Sequence, residues 1–234
     1  KKYNCFIIED ACHALGSEYK YKNNLFKIGS CKHADVSTFS LHPLKTITSG
    51  EGGIITTKNS KIAKNIILFR SHGILRDKKM HWRYDVIKSG FNYRLSDINC
   101  ALGLSQLAKV NFFLKKRKKI YEKYLNELKN FNSNLIIPEY SNNIRPSFHL
   151  FIINILFKKL NKNKDHFMKY LMDKKIIAQQ HYIPIYKFSI YKRKNISFNG
   201  SKKYYDNSIS LPIYVDLDKK KQDQIIKIIK NYFN

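Results

Sequence analysis

Ser40-Leu41-His42-Pro43-Leu44-Lys45-Thr46-Ile47-Thr48-Ser49-Gly50-Glu51-Gly52-Gly53 sets one lysine in a loop with a proline, a histidine and a glycine cluster. The apolar run Val36 to Leu41 leads into it, and the β-branched run Ile54 to Thr57 leads out. These runs predict strands over 35–40 and 54–57, with Lys45 between them, where α/β folds place their ligands. The connection is tight and has no crossover helix, which predicts antiparallel pairing of the two strands. A lysine amine at such a point can form a Schiff base when burial or neighbours lower its pKa. In a chain with 44 lysines and arginines the ordinary role of one lysine is a solvated surface charge, so a second signal has to decide.

That signal is Phe6-Ile7-Ile8-Glu9-Asp10-Ala11-Cys12-His13-Ala14-Leu15-Gly16, a short apolar run ending in two acids. It reads as a buried parallel strand with Asp10 at its C-terminal end. A carboxylate there is either a helix N-cap or a ligand contact. Paired with a downstream lysine it meets the needs of pyridoxal 5′-phosphate. The lysine holds the aldehyde as an imine, and the aspartate keeps the pyridine nitrogen protonated so that the ring draws electrons.

Three runs, EDACHALG from Glu9, DVSTFSLHPLKTITSGEGG from Asp35 and GFNYRLSDINCALGLSQL from Gly90, keep their order and separation. Together they resemble the DegT/DnrJ/EryC1/StrS family of sugar aminotransferases, which are pyridoxal phosphate enzymes of fold type I. The wording HALG and HPLKTITSGEGG looks most like members acting in pseudaminic acid synthesis. The resemblance then implies an aminotransferase that moves an amino group from glutamate to the 4-keto group of a UDP-linked 6-deoxy-N-acetylhexosamine. It implies Lys45 as the cofactor lysine, Asp10 at the pyridine nitrogen, His13 near the phenolic oxygen and Ser40 at the phosphate. Asn92 would reach the phosphate of a partner subunit's cofactor, which implies a homodimer with shared active sites. His149, His181 and Tyr182 correspond to a region that faces the nucleotide-sugar pocket in relatives. Several of these residues also have a plain structural reading: His13 as a hydrogen-bonded core histidine, Asn92 as a turn residue, His149 and His181 as histidines at strand ends. Cys12, two after the aspartate, is either against the ring or a small packing residue. Some relatives replace the lysine by histidine and become sugar dehydratases; this chain keeps it. A non-catalytic binding or regulatory protein of the same fold, or an inactive fragment, is also compatible with the resemblance.

The resemblance further implies that about 150 residues, the size of one ordinary domain, precede Lys1 in family members. They would supply further strands, a glycine-rich phosphate turn and the aromatic face that stacks on the ring. The fold expected is α/β: residues 1–114 as the C-terminal part of the large cofactor-binding domain, with a mostly parallel sheet and one antiparallel strand, and residues 115–234 as a small α/β domain with a linking helix.

Composition narrows the other classes. The 234 residues, 43% of them hydrophobic, suffice for a real core. A net charge of +27 invites a nucleic-acid partner. Yet the lysines are spread along the chain among Asn and Ile, and no nucleic-acid motif accompanies them, so no specific nucleic-acid partner is expected. Cys5, Cys12, Cys31 and Cys100 contain no CxxC pair, so no metal site is expected. No apolar run is long enough for a bilayer, and a reducing cytoplasm is expected. The glycosylation patterns Asn195-Ile196-Ser197 and Asn199-Gly200-Ser201 carry no meaning there.

Helices are expected over 59–72, where Ile62, Ala63, Ile66, Ile67 and Phe69 mark one face, and from Ser96 as cap through Val110 towards Phe131. Residues 16–31 read as a polar loop with a short hairpin near Asn23-Asn24, and 74–89 as irregular. In the small domain the pattern gives strands over 148–157 and 176–182, and helices over 164–174, 202–208 and from Asp218 to Phe233.

Overall fold

The computed structural model describes residues 3–191 and 198–233, so Asn195-Ile196-Ser197 lies outside the described residues. Two compact units emerge. The first comprises residues 1–114 with 142–147, and the second comprises 115–141 with 148–234.

In the first unit β1 (Ile8–Asp10) lies parallel to β4 (Val36–Ser40), which pairs antiparallel with β5 (Gly53–Thr56). Between β1 and β4 the chain makes a hairpin, β2 (Glu18–Tyr21) and β3 (Asn24–Lys27). Its turn residues Lys22 and Asn23 both have positive φ, the twist that two-residue hairpin turns need. After β5 comes α1 (Ser60–Arg70), whose first backbone N–H groups, at Lys61 and Ile62, are capped by the Asn59 side chain. The expectation of an irregular 74–89 is corrected: β6 (Ile74–Arg76) and β7 (Tyr84–Val86) form an antiparallel pair. Ser96 caps α2 (Asp97–Leu107) through the backbone N–H of Asn99. The single long helix expected from Ser96 is also corrected. A turn at Ala108-Lys109 separates α2 from α3 (Val110–Leu128), because the Lys109 N–H bonds back to Gln106 instead of continuing the i−4 ladder.

The buried strand expected before Asp10 is parallel but not buried. Ile8 is 63% exposed and Phe6 57%, and among the described residues β1 has a strand neighbour on one side only.

The second unit is built around one apolar core. β8 (Leu135–Ile136), β10 (Phe151–Ile155) and β11 (Ser208–Leu211) form an antiparallel sheet with β10 in the middle. β9 (Ile144–Arg145), by contrast, joins β2 in the first unit. Phe151, Ile153 and Ile155 alternate inward on β10 and are fully buried, the period-2 signature of a half-covered strand. Against this sheet pack Tyr124 and Leu128 of α3, Phe167 and Leu171 of α4 (Lys164–Asp173), and Ile225, Ile226 and Ile229 of α6 (Lys219–Phe233). The helix near 202–208 is α5 (Asn199–Asn207), and its expected last residue, Ser208, opens β11 instead. The strand expected over 176–182 shrinks to one bridge, Gln179 with Ser210, since Pro184 and the turns after it stop the ladder. Asp218 accepts the Lys221 N–H at 2.8 Å and so caps the start of α6.

Two polar side chains tie this core together. Arg117 is 5% exposed and donates to the carbonyls of Phe148, His149 and Ile213. Gln222, also buried, donates to the carbonyl of Ile120 at 2.7 Å. Each satisfies backbone oxygens that the packing removes from water.

Candidate active site

The parallel register of β1 and β4 sets Asp10 opposite Thr38, so Asp10 and Ser40 end their strands at the same edge. The turn bearing Cys12 and His13 and the loop bearing Lys45 both spring from that edge. No helix begins after Asp10; the chain turns and enters β2, which removes a helix N-cap as the role of this carboxylate.

Asp10 is the electrostatic centre. Its carboxylate accepts the Cys12 N–H at 3.1 Å and hydrogen-bonds the Cys12 thiol. These two bonds, the thiol's first, hold its pKa below the usual carboxylate value, and the charges of His13 and Lys45 add to the effect. The converse holds for Cys12: its bond to Asp10 pushes the thiol pKa up, so the sulfur stays protonated as a donor. The backbone of Ser40 also hydrogen-bonds that sulfur. Asp10, Cys12, His13, Ser40 and Lys45 therefore form one interacting group. Cys12 has a larger part in it than a small packing residue would.

The loop that carries Lys45 is fixed by its own bonds. Lys45 N–H donates to the His42 carbonyl at 2.9 Å, and His42 N–H donates to the Ser40 hydroxyl at 3.3 Å. Thr48 Oγ1 donates to the Leu41 carbonyl and accepts the Gly50 N–H, both at 2.9 Å. The fully buried Ser49 donates to the Glu51 carbonyl at 2.7 Å. Gly52 has φ +133°, a backbone conformation that L side chains rarely adopt, so the glycine is required there, and a Cβ would also press the tip of Leu95, 2.8 Å away at Cδ1. Asn99, near the start of α2, donates its side-chain amide to the Ser49 carbonyl. Sequence reasoning missed Asn99. Its only signal was an asparagine three residues after a capping serine, inside a helix where asparagine is otherwise disfavoured. The turn at His13 is also anchored, through Ser147 Oγ donating to the His13 carbonyl at 2.9 Å.

Asn92 is not among the groups that act on Asp10 or Cys12. It is exposed and stands in an isolated bridge with Ser71. His149, His181 and Tyr182 belong to the second unit. The His149 carbonyl takes a bond from Arg117, the His181 ring pairs with the Ser210 hydroxyl at 2.8 Å, and Tyr182 is exposed. Among the described residues no cluster of three or more His, Cys, Asp or Glu is arranged for a metal, and no helix is long and apolar enough to cross a membrane.

The chain matches the DegT/DnrJ/EryC1/StrS aminotransferase family over residues 1–230. It is 41% identical over 224 residues to the UDP-4-amino-4,6-dideoxy-N-acetyl-beta-L-altrosamine transaminase of Campylobacter jejuni serotype O:23/36, covering 94% of this chain and 56% of that protein. Its fold superposes with a TM-score of 0.89 on Helicobacter pylori PseC, an aminotransferase involved in the biosynthesis of pseudoaminic acid, at 32% identity over 99% of this chain and 60% of that one. A sugar aminotransferase described as putative, Spr1654 of Streptococcus pneumoniae in its PMP form, gives a TM-score of 0.83 at 27% identity, covering 97% and 59%. The chain thus spans a little over half the length of the relatives it matches, and it has the α/β fold of the corresponding part of these enzymes. With the motifs, the fold and the carboxylate–lysine edge in agreement, this chain belongs to the DegT/DnrJ/EryC1/StrS aminotransferase family.

Proposed function

We propose that the protein of which this chain is part transfers an amino group from glutamate to the 4-keto group of a UDP-linked 6-deoxy-N-acetylhexosamine, using pyridoxal 5′-phosphate. The carrying observation is the joint placement of Asp10, Ser40 and Lys45 at one end of a parallel strand pair. The donor set fits the cofactor: an amine for its aldehyde, a carboxylate held anionic for its ring nitrogen, and a hydroxyl for its phosphate. When bound, the cofactor supplies an electron sink for the carbon that exchanges its amino group.

The chain's own residues supply the rest. The Cys12 N–H and thiol keep Asp10 ionised, and the ionised carboxylate holds a proton on the ring nitrogen. Lys45, on a loop braced by Thr48 and Asn99, is positioned to carry a proton to and from the reacting carbon. Ser40 would hold the phosphate, and His13 would lie at the phenolic oxygen. Asn92 serves the partner's cofactor in a homodimer, and His149, His181 and Tyr182 take the nucleotide sugar. The relatives' names support the substrate class: one is named for an amino-dideoxy-N-acetyl sugar linked to UDP.

The test uses the full-length protein. Lys45→Ala should abolish transamination and remove the visible absorption of bound cofactor, and Asp10→Asn should keep the cofactor but lose most of the rate. An unchanged spectrum in Lys45→Ala sinks the assignment. Mixing Lys45→Ala with Asn92→Ala subunits tests the shared site. A mixed dimer has one site with both defects and one with neither, so activity should return. No recovery from proven mixed dimers would place Asn92 within its own subunit's site.

A further inference from the structure

Away from Lys45, the second unit holds a cleft of about 650 Å3 between the start of α4 and α5. Lys162, Lys164, Lys202, Lys203, Tyr205 and Asp206 are among its lining residues. Like Lys162, Lys164 is partly buried. Its Nζ donates to the Tyr205 carbonyl at 2.5 Å, beside the Gln180 amide at 2.9 Å on the same oxygen, and lies 4.8 Å from the Tyr205 ring centroid. The Lys187 ammonium sits 3.9 Å from the centroid of that ring. Two cations thus share one aromatic ring, while Lys202 engages Asp206 at 2.5 Å.

We propose that this cleft is an acylation site, in which flanking ammonium groups take the phosphate of a small acyl phosphate and the Lys164 amine receives the acyl group. The Lys164 lone pair attacks the acyl carbon and a C–N bond forms. The C–O bond to phosphorus breaks, inorganic phosphate leaves with the electron pair, and the nitrogen's proton passes to phosphate or water. The product is a neutral amide that keeps one N–H for the Tyr205 carbonyl. The neutral amine can still donate to the Tyr205 carbonyl, and burial lowers its pKa to about 8, with Lys187 adding to the effect and Asp165 and Asp206 opposing it. At about pH 7.5 roughly one chain in four then carries this amine neutral, against roughly one in a thousand for a lysine at its ordinary value. Lys158, Lys159 and Lys203 also line the cleft and offer the leaving phosphate cations that an isolated surface lysine lacks, while Lys162 is engaged by the Tyr232 carbonyl and Lys202 by Asp206.

Treating the full chain with acetyl phosphate and mapping modified peptides by mass spectrometry tests the inference. Lys164 should acetylate at least about ten-fold faster than the exposed Lys118 and Lys220, with a rate that levels off above about pH 8 as the amine becomes fully neutral. An uncharged active ester is the second arm, and its preference for Lys164 should be smaller, since it has no phosphate to capture. Equal rates at Lys164 and the exposed lysines overturn the site, and an equal preference with both reagents overturns the capture of phosphate.

Discussion

The two units of this chain use apolar residues in opposite ways. In the second, Phe151, Ile153, Phe167, Leu171 and Ile229 are wholly removed from water. In the first, α1 and α2 contain no buried residue, and Ile67, Phe69, Ile98 and Leu104 are each about half exposed or more. The helices of both units carry apolar residues, so helix-forming pattern is not the difference. The second unit folds a sheet and three helices onto one core, while the first spreads its elements around a thin three-stranded sheet. Stability within the described residues should therefore reside in the second unit, and the candidate site sits in the less covered one. The site loop is held by its own hydrogen bonds and by the burial of Leu41, Ile47 and Ser49.

The largest effect that bears on this contrast is Phe151→Ala, which empties the centre of the second core and should cost about 3–5 kcal/mol in urea unfolding. Arg117→Leu should follow at about 3 kcal/mol, since three buried carbonyls lose their donor while the volume is roughly kept. Asn59→Ala, which removes the cap of α1, should cost about 1 kcal/mol. Ile67→Ala on the exposed side of α1 should change stability by less than about 0.5 kcal/mol. If it cost as much as Phe151→Ala, the contrast between the units would be wrong. Hydrogen exchange sharpens the same comparison: amides of β10 should be protected to the level of global unfolding, and those of α1 and α2 should exchange through smaller openings.

A pH titration adds a separate signal. Lys164 has a folded pKa of about 8, below its unfolded value. Between about pH 8 and 10.4 the unfolded chain binds more protons there, so stability should rise with pH across that window. The contribution is a penalty present in full below pH 8 and relieved above it. In Lys164→Met the rise should vanish, as read from urea midpoints at pH 7.5 and 10.

Much of the site was legible before any tertiary structure. The spacing of an apolar run, a terminal acid, a second run and a loop lysine was enough to place Asp10 and Ser40 at strand ends and Lys45 on the loop between two strands, because strand periodicity and turn residues are local properties. The cap at Ser96 was local in the same way. What failed had a weak or misleading local signal, or depended on which stretches meet. The pairing of β6 with β7 joins segments with weak strand signals, and the order of β8, β10 and β11 depends on which chain stretches meet. The break between α2 and α3 falls in a run whose periodicity continues unbroken.

The sequence by itself determined the family, the α/β class and the residues with the right chemistry, since these follow from side-chain identity and spacing along the chain. Only the tertiary structure decided how those residues act on one another. Cys12, left open between the ring face and a packing role, became the donor that holds Asp10 ionised, and Asn99, 54 positions beyond Lys45 in sequence, became a brace for the lysine loop. Lys164, one lysine among many, was set apart by burial against Tyr205. In each case the deciding quantity is a distance or a loss of solvent, and neither is written in the order of residues.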